Sequence, residues 1–172
     1  MRAVMLTAVK GGVGVSTLAL MLAKALAERG SSVTLVDVAG YISSIANIRV
    51  NGLLAQSVDG EKPAAGYASK IGRIQVVKFL GDGMRFFDDV EKLRHNPDQL
   101  TKLVAEYTAV SSDSDYVVID VAPCFLDLIF KSPFISYWLI PPAYFRAYVT
   151  DDKSRRFIKG LKAALPLANP SQ

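Results

Sequence analysis

A chain of 172 residues that is 51% hydrophobic carries enough apolar side chain for one packed domain and excludes wholesale disorder. Its one cysteine, Cys124, excludes an internal disulfide, and its one histidine, His95, leaves little for histidine metal sites or a Ser-His-Asp triad. Lys and Arg exceed Asp and Glu by 20 to 16, a net charge of +4 with a pI near 9.2, which leans weakly toward anionic partners such as DNA or lipid headgroups.

The first apolar run, 3–9, reads as a buried strand, and it leads into glycines rather than into the layout of a signal peptide. Ser16 or Thr17 can start a helix in which Leu18, Met21, Leu22, Ala25 and Leu26 recur at helical spacing, and Gly30 stops it. A second buried strand follows at 33–38, so the glycines sit inside a βαβ unit. Residues 41–48 and 52–58 read as short helices, 59–69 as loop, and 74–80 as a strand closed by Gly81, Asp82 and Gly83.

Asn96, Pro97 and Gln99 form a helix start, with Asn as cap, Pro at N1 and Gln reaching back. That helix runs to about Ala109 on Leu100, Leu103, Val104 and Tyr107. An apolar strand at 116–119 ends in Asp120, another strand is expected at 135–140, and 151–165 reads as an amphipathic helix. The most apolar stretch, 133–149, is broken by Pro141, Pro142 and Arg146, against a spanning helix. The expected architecture is one α/β domain over 1–172 with a mostly parallel sheet flanked by helices, in a reducing cytoplasm.

The chemistry concentrates in Lys10, Gly11, Gly12, Val13, Gly14, Val15, Ser16 and Thr17. A glycine-fed helix start binds phosphate because its free N–H groups converge and its dipole is positive there. Glycines let the backbone wrap an anion without Cβ clashes. A standard loop of this type ends Gly-Lys-Ser/Thr, the lysine on the β- and γ-phosphates and the hydroxyl on Mg²⁺. Here Val15 occupies the lysine position while Ser16 is kept. Ser16 reads equally as a Mg²⁺ ligand and as a plain helix cap, and Asp120 as a Mg²⁺-site carboxylate or a strand-end cap. Cys124, with no histidine nearby in sequence, reads as a packed small residue.

Lys10-Gly-Gly-Val-Gly resembles the deviant Walker A loop of the ParA/MinD family, a SIMIBI-like group of P-loop ATPases. Val33-Thr-Leu-Val-Asp37 looks like that family's second strand, and Asp115-Tyr-Val-Val-Ile-Asp120-Val-Ala-Pro123 like its Walker B strand. Leu53-Leu54, Asp59-Gly60-Glu61 and Gln75-Val76-Val77 look like its helix, turn and third strand, so the resemblance covers 1–145. The resemblance implies ATP or ADP with Mg²⁺ on Gly11, Gly12, Val13, Gly14, Val15, Ser16 and Thr17, and Mg²⁺ on Ser16 and Asp120. It also implies catalytic roles for Lys10 and Asp37, Lys10 reaching across a nucleotide-sandwich homodimer. Lys10 alternatively neutralises phosphate charge within its own chain.

Three departures from the pattern stand out. Val15 removes the phosphate lysine, a loss of about 2–5 kcal/mol where a charge partner is truncated. The second carboxylate of the family's Asp-x-Asp is Ala39 here, and losing one preorganised group costs about 10²–10³ in rate. The strand and loop that read the base in the family have no counterpart before the end of the sequence. The implied function is a nucleotide-switch protein of DNA partitioning or cell positioning with impaired or absent hydrolysis. The alternative is a non-enzymatic pseudo-ATPase scaffold that binds DNA or a protein partner; a small-molecule kinase or synthetase on the same fold normally needs the missing lysine.

Lys153, Arg155, Arg156, Lys159 and Lys162 surround Phe157, Ile158, Leu161 and Leu165 on the last helix. The plain reading is a helix packed on the sheet with solvated charges. The sharper ones are nonspecific DNA binding through those cations and, less favoured, a membrane surface.

Overall fold

The computed structural model describes residues 1–8, 11–63, 66–122 and 125. In chain order the elements are β1 (Arg2–Thr7), α1 (Val15–Glu28), β2 (Val33–Asp37), α2 (Tyr41–Ala46), a 3-10 helix (Leu54–Asp59), β3 (Ala68–Ile71), β4 (Ile74–Lys78), α3 (Met84–His95), α4 (Pro97–Ser111) and β5 (Tyr116–Val121). The expected strand at 135–140 and helix at 151–165, with its five cations, lie outside the described residues, as do Lys10, Pro123 and Cys124.

The strands form one sheet in the order β1-β5-β2-β4-β3. β1, β5, β2 and β4 are parallel, and β3 joins antiparallel to β4. All five residues of β2 are buried, which is why Val-Thr-Leu-Val-Asp is nearly continuous in apolar character: a central parallel strand is covered on both faces. Successive side chains alternate between those faces. Val33, Leu35, Ile74, Val76 and Val118 pack with Ala19, Leu20 and Ala23 of α1 and Ile42 of α2. Val36, Val77, Val117, Ile119 and Val121 pack on the other side with Phe86, Val90 and Leu93 of α3 and Leu100, Leu103 and Tyr107 of α4. Phe79 sits at the centre of that second core, edge-on to Tyr107 and Phe125 with ring centroids 6.1 Å apart in both pairs.

Several expectations are corrected. β1 is half-buried rather than buried. α1 turns Ala19, Leu20 and Ala23 inward while Leu18 and Met21 remain 55% and 62% exposed. The helix is apolar almost all round, so spacing alone does not select a face, and the two alanines permit the closer approach to the sheet. The stretch at 59–69 is not all loop: β3 begins at Ala68. The segment at 52–58 is a 3-10 helix. α3 was not anticipated at all.

Asn96 caps α4 as expected, its side chain accepting from the Gln99 N–H. The reciprocal half is supplied differently, because the Asn96 N–H donates to the Lys92 carbonyl at the end of α3. One cap residue thereby joins two helices.

Candidate functional site

The site lies where β1, β5 and β2 end and α1 begins. Gly12 and Gly14 take positive φ values of 77° and 87°, a region that side-chain-bearing residues enter only with strain. Among the described residues nothing lies within 4 Å of where a Cβ would stand on Gly11, Gly12 or Gly14. Gly12 and Gly14 are therefore needed for backbone direction rather than for space.

Helix α1 starts at Val15, not at Ser16 or Thr17, with Gly14 in the cap position and no side chain bonded there. Its first-turn N–H groups are left without a side-chain cap, the arrangement that suits an anion. Ser16 lies inside the first turn rather than at the cap, near enough to the Asp120 carboxylate to hold its pKa down. Val13 is 59% exposed, Val15 is half-buried and Thr17 is exposed.

Two carboxylates meet behind that loop. Asp37 and Asp120 occupy register-matched positions on neighbouring parallel strands, so their side chains share the α1 face. Burial raises the Asp120 pKa to about 6, the Ser16 hydroxyl opposes the rise, and the Asp37 charge adds to it. Burial also raises that of Asp37, against hydrogen bonds from Ser43, Ile42 and Gly40. Asp37 Oδ2 accepts from the Ser43 N–H at 3.1 Å and from Ser43 Oγ at 3.0 Å. Asp37 Oδ1 is buried with no hydrogen-bond partner among the described residues.

A divalent ion fits this set. A hydroxyl, a carboxylate and a buried unsatisfied carboxylate oxygen form the hard, oxygen-only environment that Mg²⁺ prefers, with water completing its shell. Among the described residues no three acidic, histidine or cysteine side chains cluster around one point.

The structure thus brings together Gly11, Gly12, Val13, Gly14, Val15, Ser16, Thr17, Asp37 and Asp120, while Lys10 lies outside the described residues. Asp115, the first aspartate of the Asp-Tyr-x-x-x-Asp segment, is elsewhere: it accepts from the Ser32 N–H at 2.8 Å and Ser32 Oγ at 2.9 Å, fastening the start of β5 to the start of β2. Sequence reasoning missed Ser43, which holds Asp37, and Lys78, which stands opposite Asp37 in β4. The signal for Lys78 was a lysine at the end of an otherwise apolar strand.

The family model described as an AAA domain matches residues 1–148. No curated protein matches the chain. Among solved structures, a plasmid partition protein from Borrelia burgdorferi is similar at 20% identity and a TM-score of 0.55, covering 76% of this chain and 62% of its own. Cobyrinic acid a,c-diamide synthase from Mycobacterium smegmatis, with bound ATP analog and magnesium, is similar at 17% identity and a TM-score of 0.59, covering 77% and 57%. The MinC:MinD cell division protein complex of Aquifex aeolicus is similar at 24% identity and a TM-score of 0.50, covering 71% and 48%. The chain therefore spans between 48% and 62% of the length of these three structures. At these identities the likeness is one of fold: a mostly parallel sheet with helices on both faces, as P-loop proteins have. With the glycine loop, the paired aspartates and a family match over most of its length, the chain belongs to the AAA-domain family and has its α/β fold in common with P-loop proteins.

Proposed function

We propose that this protein is a nucleotide switch of DNA partitioning or cell positioning that binds ATP or ADP with Mg²⁺ and hydrolyses ATP poorly or not at all. The observation that carries the reading is the uncapped, glycine-fed start of α1, with Ser16 in its first turn and the register-matched Asp37 and Asp120 behind it. Residues 11–17 hold the phosphates through backbone N–H groups, and Ser16 and Asp120 hold Mg²⁺. When bound, the ion neutralises charge between the terminal phosphates. Asp37 orients groups beside it through Ser43, and Lys10 serves a partner copy in a homodimer.

Slow hydrolysis follows from two side chains. Val15 offers no cation to the γ-phosphate, and Ala39, 7% exposed, offers no carboxylate to an attacking water. The solved relative with bound ATP analog and magnesium supports the ligand class. The partition protein and the MinC:MinD complex support the biological class, with DNA or a protein as partner. The cations at Lys153, Arg155, Arg156, Lys159 and Lys162 are the proposed DNA contacts.

Isothermal titration with Mg·ATP and Mg·ADP, alongside a phosphate-release assay, tests this. Saturable heat with both nucleotides and release near background is the expected result. Absence of heat with either nucleotide supports instead the non-enzymatic scaffold reading.

A further inference from the structure

The polar row behind the glycine loop extends past the two aspartates. Asp37 faces Asp120 on one side and Lys78 of β4 on the other. Lys78 has the parity of Ile74 and Val76, which pack on the α1 side of the sheet, so all three polar side chains leave the same face near the strands' C-terminal ends. Neighbouring strands lie about 4.8 Å apart, which puts the Lys78 backbone about 10 Å from that of Asp120. A flexible four-carbon lysine stem covers most of that distance.

Lys78 is 8% exposed, unusual for a lysine. Its ion-pair partner is Asp82, whose side chain is 60% exposed. Asp82, being in water, loses little when the pair opens, whereas the buried Lys78 needs another anion in exchange. Beside it, Asp37 Oδ1 is buried and has no hydrogen-bond partner among the described residues. The face therefore holds a cation with a replaceable partner, next to an acceptor with none. A polyphosphate entering here would meet two carboxylates, and residues 11–17 contain no cationic side chain to offset them.

We infer that Lys78 is the cation of this site: from β4 it supplies the terminal phosphate of a Mg·nucleoside triphosphate with the positive charge that Val15 cannot supply from the loop. This rests on the phosphate-site reading above. On binding, the Lys78 ammonium leaves Asp82, passes over Asp37 and meets the γ-phosphate. A diphosphate lacks the group that draws it across. Lys78 thereby distinguishes triphosphate from diphosphate.

The test is isothermal titration of the full chain and its variants with Mg²⁺ plus a non-hydrolysable ATP analogue, and with Mg·ADP. Lys78→Met is expected to weaken the triphosphate about tenfold, as for a truncated charge pair, and ADP less than about twofold. Lys78→Arg keeps most of the triphosphate affinity. Asp82→Asn keeps the shape of a 60% exposed side chain, releases the lysine and tightens the triphosphate severalfold, so it decides the matter where Lys78→Met does not fold. A wild-type chain that binds the analogue while Lys78→Met and Asp82→Asn bind it equally well overturns this inference and leaves the phosphate site standing. Equal losses for ADP and the analogue in Lys78→Met, with Asp82→Asn unchanged, overturn it as well. A wild-type chain that binds neither nucleotide overturns both.

Discussion

The Asp82 carboxylate rests on the Cα of Gly40: a methyl group added at Gly40 would stand 1.6 Å from Asp82 Oδ1 and 2.8 Å from its Cγ. Gly40 also has a φ of 80°. The turn after β2 and the turn after β4 are therefore packed through a missing side chain. Gly40→Ala is expected to cost about 1–3 kcal/mol from the backbone conformation alone, plus whatever the displaced carboxylate adds. Thermal melts of Gly40→Ala, Asp82→Ala and the double variant separate the two: removing Asp82 should relieve the collision and leave the conformational part.

Asp120 and Asp37 make stability depend on acidity in a defined direction. Both have folded pKa values above the unfolded one, Asp120 at about 6 against 3.8. Between about pH 4 and 6 the native state holds more protons than the unfolded state, so this contribution to stability falls as pH rises through that window. For Asp120 the full change is about 3 kcal/mol. Urea unfolding without Mg²⁺ should show that decline, and Asp120→Asn should flatten it. Mg²⁺ selects the ionised carboxylate, so its affinity should strengthen across the same interval.

Restoring the loop lysine should restore affinity. Val15→Lys places a cation in the first turn of α1 and is expected to tighten Mg·ATP by at least about tenfold, read by calorimetry. Ala39→Asp alone should leave ATP turnover near background and lower the melting temperature, because Ala39 is 7% exposed and a new carboxylate there loses its water. Turnover should rise in the double variant, measured by phosphate release.

Asp89 is structural. It is 3% exposed, accepts from the Gly81 N–H at 2.9 Å through Oδ2 and faces Arg85 Nε at 2.7 Å through Oδ1. Asp89→Ala leaves both donors unmatched and should cost about 2–3 kcal/mol, seen in chemical denaturation, with nucleotide affinity unchanged.

The βαβ unit and its loop were legible because each of their parts is local. Glycines mark the turn, a continuous apolar run marks a strand covered on both faces, and Gly30 ends the helix at a φ of 92°. The Asn96 cap was legible for the same reason. α3 carried a readable stripe in Phe86, Val90 and Leu93, but charged residues between them and the preceding glycines obscured it. β3 has only Ala68 and Ile71 as apolar residues, so nothing but pairing with β4 makes it a strand. The inward face of α1 depends on which side chains let the helix approach the sheet, a property of the assembled layers. In the candidate site, the loop came from its glycine spacing, and Asp120 from its place at a strand end and the resemblance of that strand to a Walker B strand. The hold of Ser43 on Asp37 and the place of Lys78 came from register, which only the folded sheet supplies.

The antiparallel strand β3 has a bearing on how copies of the molecule meet at high concentration. Sheets with a bare rim recruit one another edge to edge, whereas a rim made of a very short strand carrying a charge resists such stacking. Ala68–Ile71 is four residues long and bears Lys70, which is exposed. Among the described residues the sheet ends on that side in this brief segment, whose charge at Lys70 works against pairing with a neighbour.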